Sequence, residues 1–222
     1  MSKLWNIAML DFRTIKTYFA PKNWIFFAII MLLSSSASGG STAIFVGMFL
    51  AYFYASYPFA IGEKTNMDAL YCTLGISREE LVGGRYLFTV IMLLIGSAFS
   101  LFIAIFVSIF MQQPINLGEK ILIAIFSSLI MFVLLCVQLP VHFKMQYTKS
   151  RTLSFIPLFI VSASISIIGT MWGVEGIVAF IEWAGSFEYS ALYTLLASIF
   201  AFFATICISY FVSVGYYKKR EF

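Results

Sequence analysis

The residues that could do chemistry are concentrated in one polar segment, residues 62–85, which interrupts long apolar stretches of the chain. Its acidic side chains are Glu63, Asp68, Glu79 and Glu80, and its arginines are Arg78 and Arg85. Carboxylates that converge near one interface could act as general acid and base. Carboxylates beside arginines more often form surface ion pairs, and we favour that interpretation here.

Other reactive side chains are isolated. The single histidine, His142, could relay protons, but its place at the end of an apolar run favours an interfacial side chain. The cysteines Cys72, Cys136 and Cys207 have no ligand-like spacing and are expected to be small buried side chains. The sequence contains no GxxxxGK[ST], HExxH or GxSxG motif. We therefore predict no catalytic, cofactor or metal site in this chain and no nucleotide hydrolysis by it.

The composition places these residues in a membrane protein. The chain is 61% hydrophobic and 11% charged, whereas soluble domains have roughly 25% charged residues. The apolar runs lack the alternation of barrel strands, and a membrane span of about 20 residues must otherwise be helical. The sequence therefore predicts an all-α polytopic membrane protein made of one transmembrane domain, residues 1–222.

Six spans fit the hydropathy, at 24–35, 43–61, 86–111, 121–143, 152–171 and 190–216. Pro140 and Pro157 fall inside apolar stretches, and we interpret both as kinks and not as boundaries. Residues 172–189 are too short to span the membrane and too apolar for an ordinary loop. They could form an external re-entrant hairpin or an interfacial helix.

The N-terminal residues 4–20 have apolar side chains at helical spacing, such as Leu4, Ile7 and Phe12. Polar residues, among them Asp11 and Lys16, fall mostly on another face. This pattern predicts an amphipathic helix that lies in the headgroup layer. The alternative is a plain extension of the first span.

The orientation follows from the basic residues. With six spans and both termini inside, all of the 14 Lys and Arg residues except Lys120 fall on the cytoplasmic side. Five or seven spans would scatter them. No basic stretch lies outside the membrane flanks, so we expect no nucleic-acid partner.

Segment 62–85 has internal structure of its own. Ser77 and Glu80 have the spacing of a capping box, which predicts that a helix starts at Ser77. Residues 67–74 predict a short helix before it. The apolar side chains of the segment exceed what a solvated connector needs and could dock onto a partner; they are Met67, Leu70, Tyr71, Leu74 and Ile76. The alternative is a capped connector without a partner.

Three stretches carry a resemblance to a known family. They are MSKLWNIAMLDFRTIK at residues 1–16, the E-K-x-x-x-D-x-L pattern at residues 63–70, and TLGISREELVGGRYL at residues 73–87. In this order they resemble the permease subunits of type-2 ABC exporters, the small bacterial kind with a separate ATPase chain. Gly75 stands where that family commonly has proline, and Met9-Leu10 replaces its usual basic residue before Asp11.

The resemblance implies a bacterial cytoplasmic-membrane protein with two partners of different kinds. A second permease, identical or paralogous, would complete the pathway, and two cytosolic ATPase subunits would hold the ATP and Mg. The ATPase would contact segment 62–85 through Glu63, Lys64, Met67, Asp68, Leu70, Tyr71, Leu74, Ile76, Ser77, Arg78 and Glu79. The N-terminal helix would form an interfacial elbow with Leu4, Asp11, Phe12, Arg13 and Lys16.

By the same resemblance, the substrate would be hydrophobic or amphipathic, such as a peptide or an antimicrobial, and residues 172–189 would be the re-entrant hairpin before the last span. Two alternatives stay open. One is a non-transporting membrane partner, such as an immunity or assembly factor. The other is a membrane enzyme that turns over a substrate alone.

Overall fold

The computed structural model describes residues 3–16, 41–112, 117–160 and 191–220, together with the single positions 25, 29, 30, 33, 163, 167 and 170. All regular structure within this part of the chain is helical. The helices are α1 (Lys3–Lys16), α2 (Ser41–Thr65), α3 (Met67–Thr73), α4 (Arg78–Phe110), α5 (Leu117–Lys144), α6 (residues 147–160) and α7 (Ala191–Lys218).

Three of these helices are long and apolar enough to cross a membrane, over Ala43–Thr65, Arg78–Phe110 and Lys120–Lys144. The 33 residues of α4 have a length of about 50 Å. The hydrocarbon layer is only about 30 Å thick. One end of α4 must therefore project well beyond the apolar part of the bilayer.

Segment 62–85 is mostly helical. The second span was predicted to end at residue 61, but α2 continues to Thr65. The reason is that a helix satisfies its own backbone hydrogen bonds on both sides of the membrane boundary, so the hydropathy marks that boundary and not the helix end. The predicted short helix and the predicted helix start after Ser77 are confirmed.

Prolines do not end the described helices. Pro58 lies inside α2, Pro140 lies inside α5, and Pro157 lies within α6. The prediction that Pro140 and Pro157 are not boundaries is confirmed.

Several predictions concern residues outside the described part of the chain. They are the end of the N-terminal helix at 17–20, nearly all of the first span at 24–35, most of the fifth span beyond residue 160, and the segment 172–189.

The central core lies among α2, α4 and α5. Ile44, Met48 and Ala51 of α2 pack with Leu93 of α4 and Leu135 of α5 in one buried cluster. Partly buried residues of α6 and α7 pack against it, including Phe155 and Phe202. This core joins the long helices into one bundle.

A second buried cluster lies at the end of the bundle where α3 sits. It includes Phe59 of α2, Tyr71 of α3, Leu81 of α4, Phe143 of α5 and Tyr217 of α7. Five helices therefore converge at this end. A third cluster joins α1 to α2 and α4, through residues such as Ala8, Tyr54 and Phe88.

Two polar residues are more buried than their sequence positions indicate. His142 was interpreted as interfacial, but it is 2% exposed. Gln138 Nε2 and Ser150 Oγ lie 3.0 and 2.7 Å from its two ring nitrogens, and Phe59 stacks on the ring. Lys120, which was placed on the outer side, is also buried and donates to Ser108 Oγ at 2.7 Å. These side chains provide the hydrogen bonds that His142 and Lys120 would otherwise make with water.

Candidate functional site

α3 is held at a defined angle by its two ends. Asn66 precedes it with φ 50° and Gly75 follows it with φ +70°, so both turns use the left-handed region. The Ile76 N–H donates to the Tyr71 carbonyl at 3.2 Å, which closes the helix end around Gly75. A proline, as the family commonly has here, could not adopt this φ.

The capping box at Ser77 forms in full. The Glu80 N–H donates to Ser77 Oγ at 3.2 Å, and the Ser77 N–H donates to Glu80 Oε2 at 2.9 Å. Lys3 of α1 contacts the same glutamate, with Nζ 3.0 Å from Oε1. The start of α4 is therefore tied to both α3 and α1.

The two faces of α3 differ in chemistry. Asp68 and Tyr71 face the bundle and are buried, whereas Leu70 and Leu74 are 50% and 65% exposed. Met67 and Ile76 are partly buried against the cluster around Tyr71. The exposed apolar surface is therefore smaller than the sequence predicted, since Tyr71 is part of the core and not of the surface.

Asp68 lies at the centre of a buried charge cluster. Its Oδ1 accepts from Arg85 Nη2 at 3.1 Å, and its Oδ2 lies 3.6 Å from Arg220 Nη1. The Arg85 guanidinium carbon also lies 4.4 Å from the centre of the Phe59 ring. The expectation that these arginines and carboxylates form surface pairs is wrong for Arg85 and Asp68, which do pair but are only 3% and 8% exposed.

Asp11 of α1 is buried near the same cluster. It was assigned to the polar face of the N-terminal helix, but it is 3% exposed and turned toward the bundle. Within the described residues, its Oδ2 has no hydrogen-bond partner. Burial raises the pKa of Asp11 to about 6, although the charge of Arg85 opposes the shift and that of Asp68 adds to it. Burial also raises the pKa of Tyr71 to about 12.

α1 packs directly on the start of α4, where two glycines remove side chains from the contact. A Cβ on Gly84 would lie 2.5 Å from Ile7 Cγ2 and 3.3 Å from the Leu4 carbonyl oxygen. Only glycine allows this approach without displacement of α1.

The other elbow residues take different positions. Leu4 contacts Gly83 and is partly exposed, and Phe12 packs against the cluster that joins α1 to α2 and α4. Arg13 and Lys16 are exposed.

A groove opens between α1 and the end of α3. Its volume is about 280 Å³, and its walls include Lys3, Ile7 and Leu10 of α1 and Tyr71 and Leu74 on the other side. The exposed Leu74 stands at this groove. α1 and the end of α3 therefore line one groove at this end of the protein.

The remaining predicted contact residues make internal contacts. Glu63 accepts from the N–H and hydroxyl of Thr148 at 2.9 and 2.7 Å, so it caps the start of α6. Arg78 donates to the carbonyls of Tyr217, at 3.2 Å, and Lys218. Glu79 pairs with Lys218, and Lys64 is exposed.

Sequence reasoning missed Arg220 and Phe59. Both act through contacts with residues that are far away in the sequence, which no local pattern reveals. The sequence offered one signal for Arg220, its place in a basic run near the C-terminus. That run had been interpreted only as evidence of membrane orientation.

The chemistry of the site is that of paired charges and exposed apolar side chains. Within the described residues, no group of three or more His, Cys, Asp or Glu side chains could hold a metal ion. Asp68, Glu79 and Glu80 form ion pairs, Lys64 is exposed, and Leu70 and Leu74 add exposed apolar surface.

Comparison with known proteins gives one match. A family model described as "ABC-2 family transporter protein" matches residues 6–218. No curated protein and no solved structure matches the chain.

Proposed function

Because the chain belongs to the ABC-2 family of transporter proteins, we propose that it is the permease subunit of an ATP-driven exporter. A separate cytosolic ATPase drives it by docking onto α3. The pathway is formed with a second permease, identical or paralogous, and two ATPase subunits bind the pair. The cargo is a hydrophobic or amphipathic molecule such as a peptide or an antimicrobial.

The exposed pair Leu70 and Leu74 carries the docking proposal. Leu70 lies on a seven-residue helix, and Leu74 follows that helix directly. The other face of the helix is fixed in the bundle by Asp68 and Tyr71. An exposed apolar pair on a rigid support costs free energy in water unless a partner covers it. Pressure on such a helix reaches α4 directly, because the capped turn at Ser77 joins the two.

The connections at the α3 end support six crossings. Lys3 of α1, Thr148 of α6 and Lys218 of α7 all make polar contacts at this end, with Glu80, Glu63 and Glu79 respectively. Both ends of the described chain and two of its turns are therefore on one side. The six crossings predicted from the hydropathy agree with this arrangement, because an even number of crossings returns the chain to the side on which it began.

The basic residues indicate which side this is. Lys and Arg residues near membrane spans are typical of the cytoplasmic face, and all except Lys120 are assigned to the end that holds α3. We therefore place α3 and both termini in the cytoplasm of a bacterial cell.

The test replaces the exposed leucines Leu70 of α3 and Leu74 directly after it. Leu70→Asp and Leu74→Asp should each lower co-purification of the ATPase at least tenfold, because a charge would replace an apolar contact in the interface. Ile76 is a poorer target, because it packs against the protein's own core.

Leu117→Asp is the matched control, since Leu117 is 52% exposed at the opposite end of the bundle. All three variants should insert normally. Normal ATPase recovery with both α3 variants would refute the docking proposal.

A further inference from the structure

We propose that Arg220 is a positioning residue for α3: through Asp68 it ties α3 to the end of the last helix, so that α3, α4 and α7 move together. The inference rests on the proposed function, because it concerns how a push on α3 is distributed. It assigns a role to the C-terminal residues that follow α7.

The geometry around Asp68 carries this proposal. Each carboxylate oxygen faces a different arginine, Arg85 of α4 at 3.1 Å and Arg220 at 3.6 Å. The Asp68 side chain is 11% exposed and that of Arg220 is 20% exposed. Ion pairs with this little exposure are screened less than surface pairs and hold their geometry better.

Arg220 is also held in place by the chain before it. Arg78 donates to the carbonyls of Tyr217 and Lys218, and the Lys218 ammonium pairs with Glu79 at 2.5 Å. The Arg220 N–H donates to the Tyr217 carbonyl at 3.3 Å, which continues the helical turn beyond α7. The backbone at Arg220 is therefore held by contacts with both α4 and α7.

α3 depends on such contacts. A helix of seven residues is not stable alone in water, so tertiary contacts must hold it. Those contacts are Tyr71 in the buried cluster and Asp68 between its two arginines. Since Asp68 has one arginine from α4 and one from the end of α7, displacement of α3 pulls on both helices.

The experiment measures hydrogen exchange of the α3 amides in the purified full-length chain in lipid nanodiscs. Arg220→Gln should speed exchange in residues 67–73 about fivefold relative to wild type, because one of two ion pairs is lost. Exchange in the long helices should not change. Arg220→Lys should restore most of the protection, because it keeps the charge.

Lys219→Gln is the matched control. It removes the same charge from the neighbouring position, and Lys219 is exposed. Unchanged α3 exchange in Arg220→Gln, or an equal increase in Lys219→Gln, would overturn the proposal.

A double variant tests whether Arg220 acts through Asp68. Asp68→Asn removes the carboxylate charge that both arginines share. The double variant Asp68→Asn with Arg220→Gln should therefore exchange its α3 amides less than twofold faster than Asp68→Asn alone. A full fivefold increase on top of Asp68→Asn would contradict the inference.

The ATPase rate of the co-purified complex adds a functional readout. The permease should stimulate the ATPase rate less when it carries Arg220→Gln, and Arg220→Lys should restore the stimulation. If wild-type chain binds no ATPase, the proposed function fails, and the exchange experiment still decides the role of Arg220.

Discussion

Arg85 lies in the buried charge cluster at the end of the bundle that holds α3. Its side chain is 3% exposed and contacts Asp68 and the Phe59 ring, with Phe143 nearby. A buried charge is tolerated only where opposite charges and polarisable groups replace water. Asp68, Asp11 and the two rings supply that environment from four different helices.

Replacement of Arg85 should therefore destabilise the protein strongly. Arg85→Gln leaves Asp68 and Asp11 buried near each other with only Arg220 to balance them, and removal of one partner from a buried pair costs about 3–5 kcal/mol. Thermal unfolding in detergent measures the loss. The control is Arg151→Gln, which removes an exposed arginine of α6 and should change stability by less than about 0.5 kcal/mol. Equal melting temperatures for the two variants would contradict this role of Arg85.

Asp11 makes stability depend on pH. Burial raises its pKa from 3.8 to about 6, so the folded state holds the proton more tightly than the unfolded chain. Stability therefore falls as the pH rises from about 4 to about 6, and the full cost of about 3 kcal/mol remains above that range.

Asp11→Asn should remove this dependence, because the amide cannot ionise. Relative to wild type, the variant should gain about 3 kcal/mol near pH 7.5 and only about half of that near pH 5, as measured by thermal unfolding at about these two values. An identical loss of stability in both proteins between the two pH values would show that Asp11 does not titrate in this range.

Among the elements, helices with local signals were predictable. The Ser77 capping box and the apolar pattern before it fixed the start of α4 and the existence of α3. The end of α2 was not predictable, because a hydropathy profile shows where the apolar residues end and not where the helix ends. The burial of Asp11 was missed because a helical pattern assigns every aspartate to the polar face. The pattern does not show that Arg85, distant in the sequence, lies nearby in the fold.

The contact of α1 with α4 depends on Gly84. Gly84→Ala places a methyl group 2.5 Å from Ile7 Cγ2, which must push α1 away. Gly215→Ala is the matched control, since nothing lies within 4 Å of its Cβ, and alanine in a helix is stabilising by about 0.5–1 kcal/mol relative to glycine.

Cysteine labelling measures the displacement. In a background without the native cysteines, Ala8→Cys reports on α1, because Ala8 is 2% exposed. Gly84→Ala should increase its maleimide labelling rate severalfold, and Gly215→Ala should not. Unchanged labelling with Gly84→Ala would mean that α1 does not need the glycine.

For the whole molecule, the contacts divide into a polar end and an apolar core. The polar contacts of α1, α3, the start of α6 and the end of α7 lie at that end, and the apolar core lies among the long helices. The class of protein followed from composition, and the grouping of basic residues indicated the common side. The charge cluster that joins these elements required the fold, because Asp68 and Arg220 are far apart in the sequence.

The central claim is that α3 contacts a cytosolic ATPase, and photo-cross-linking in living cells tests it most directly. A photoreactive amino acid replaces Leu74 in one strain and Leu117, at the opposite end of the bundle, in another. We expect the probe at position 74 to form a cross-link to an ABC ATPase identified by mass spectrometry, and the probe at position 117 to form none. A cross-link to the ATPase from position 117, or none from position 74 in cells that contain both proteins, would contradict it.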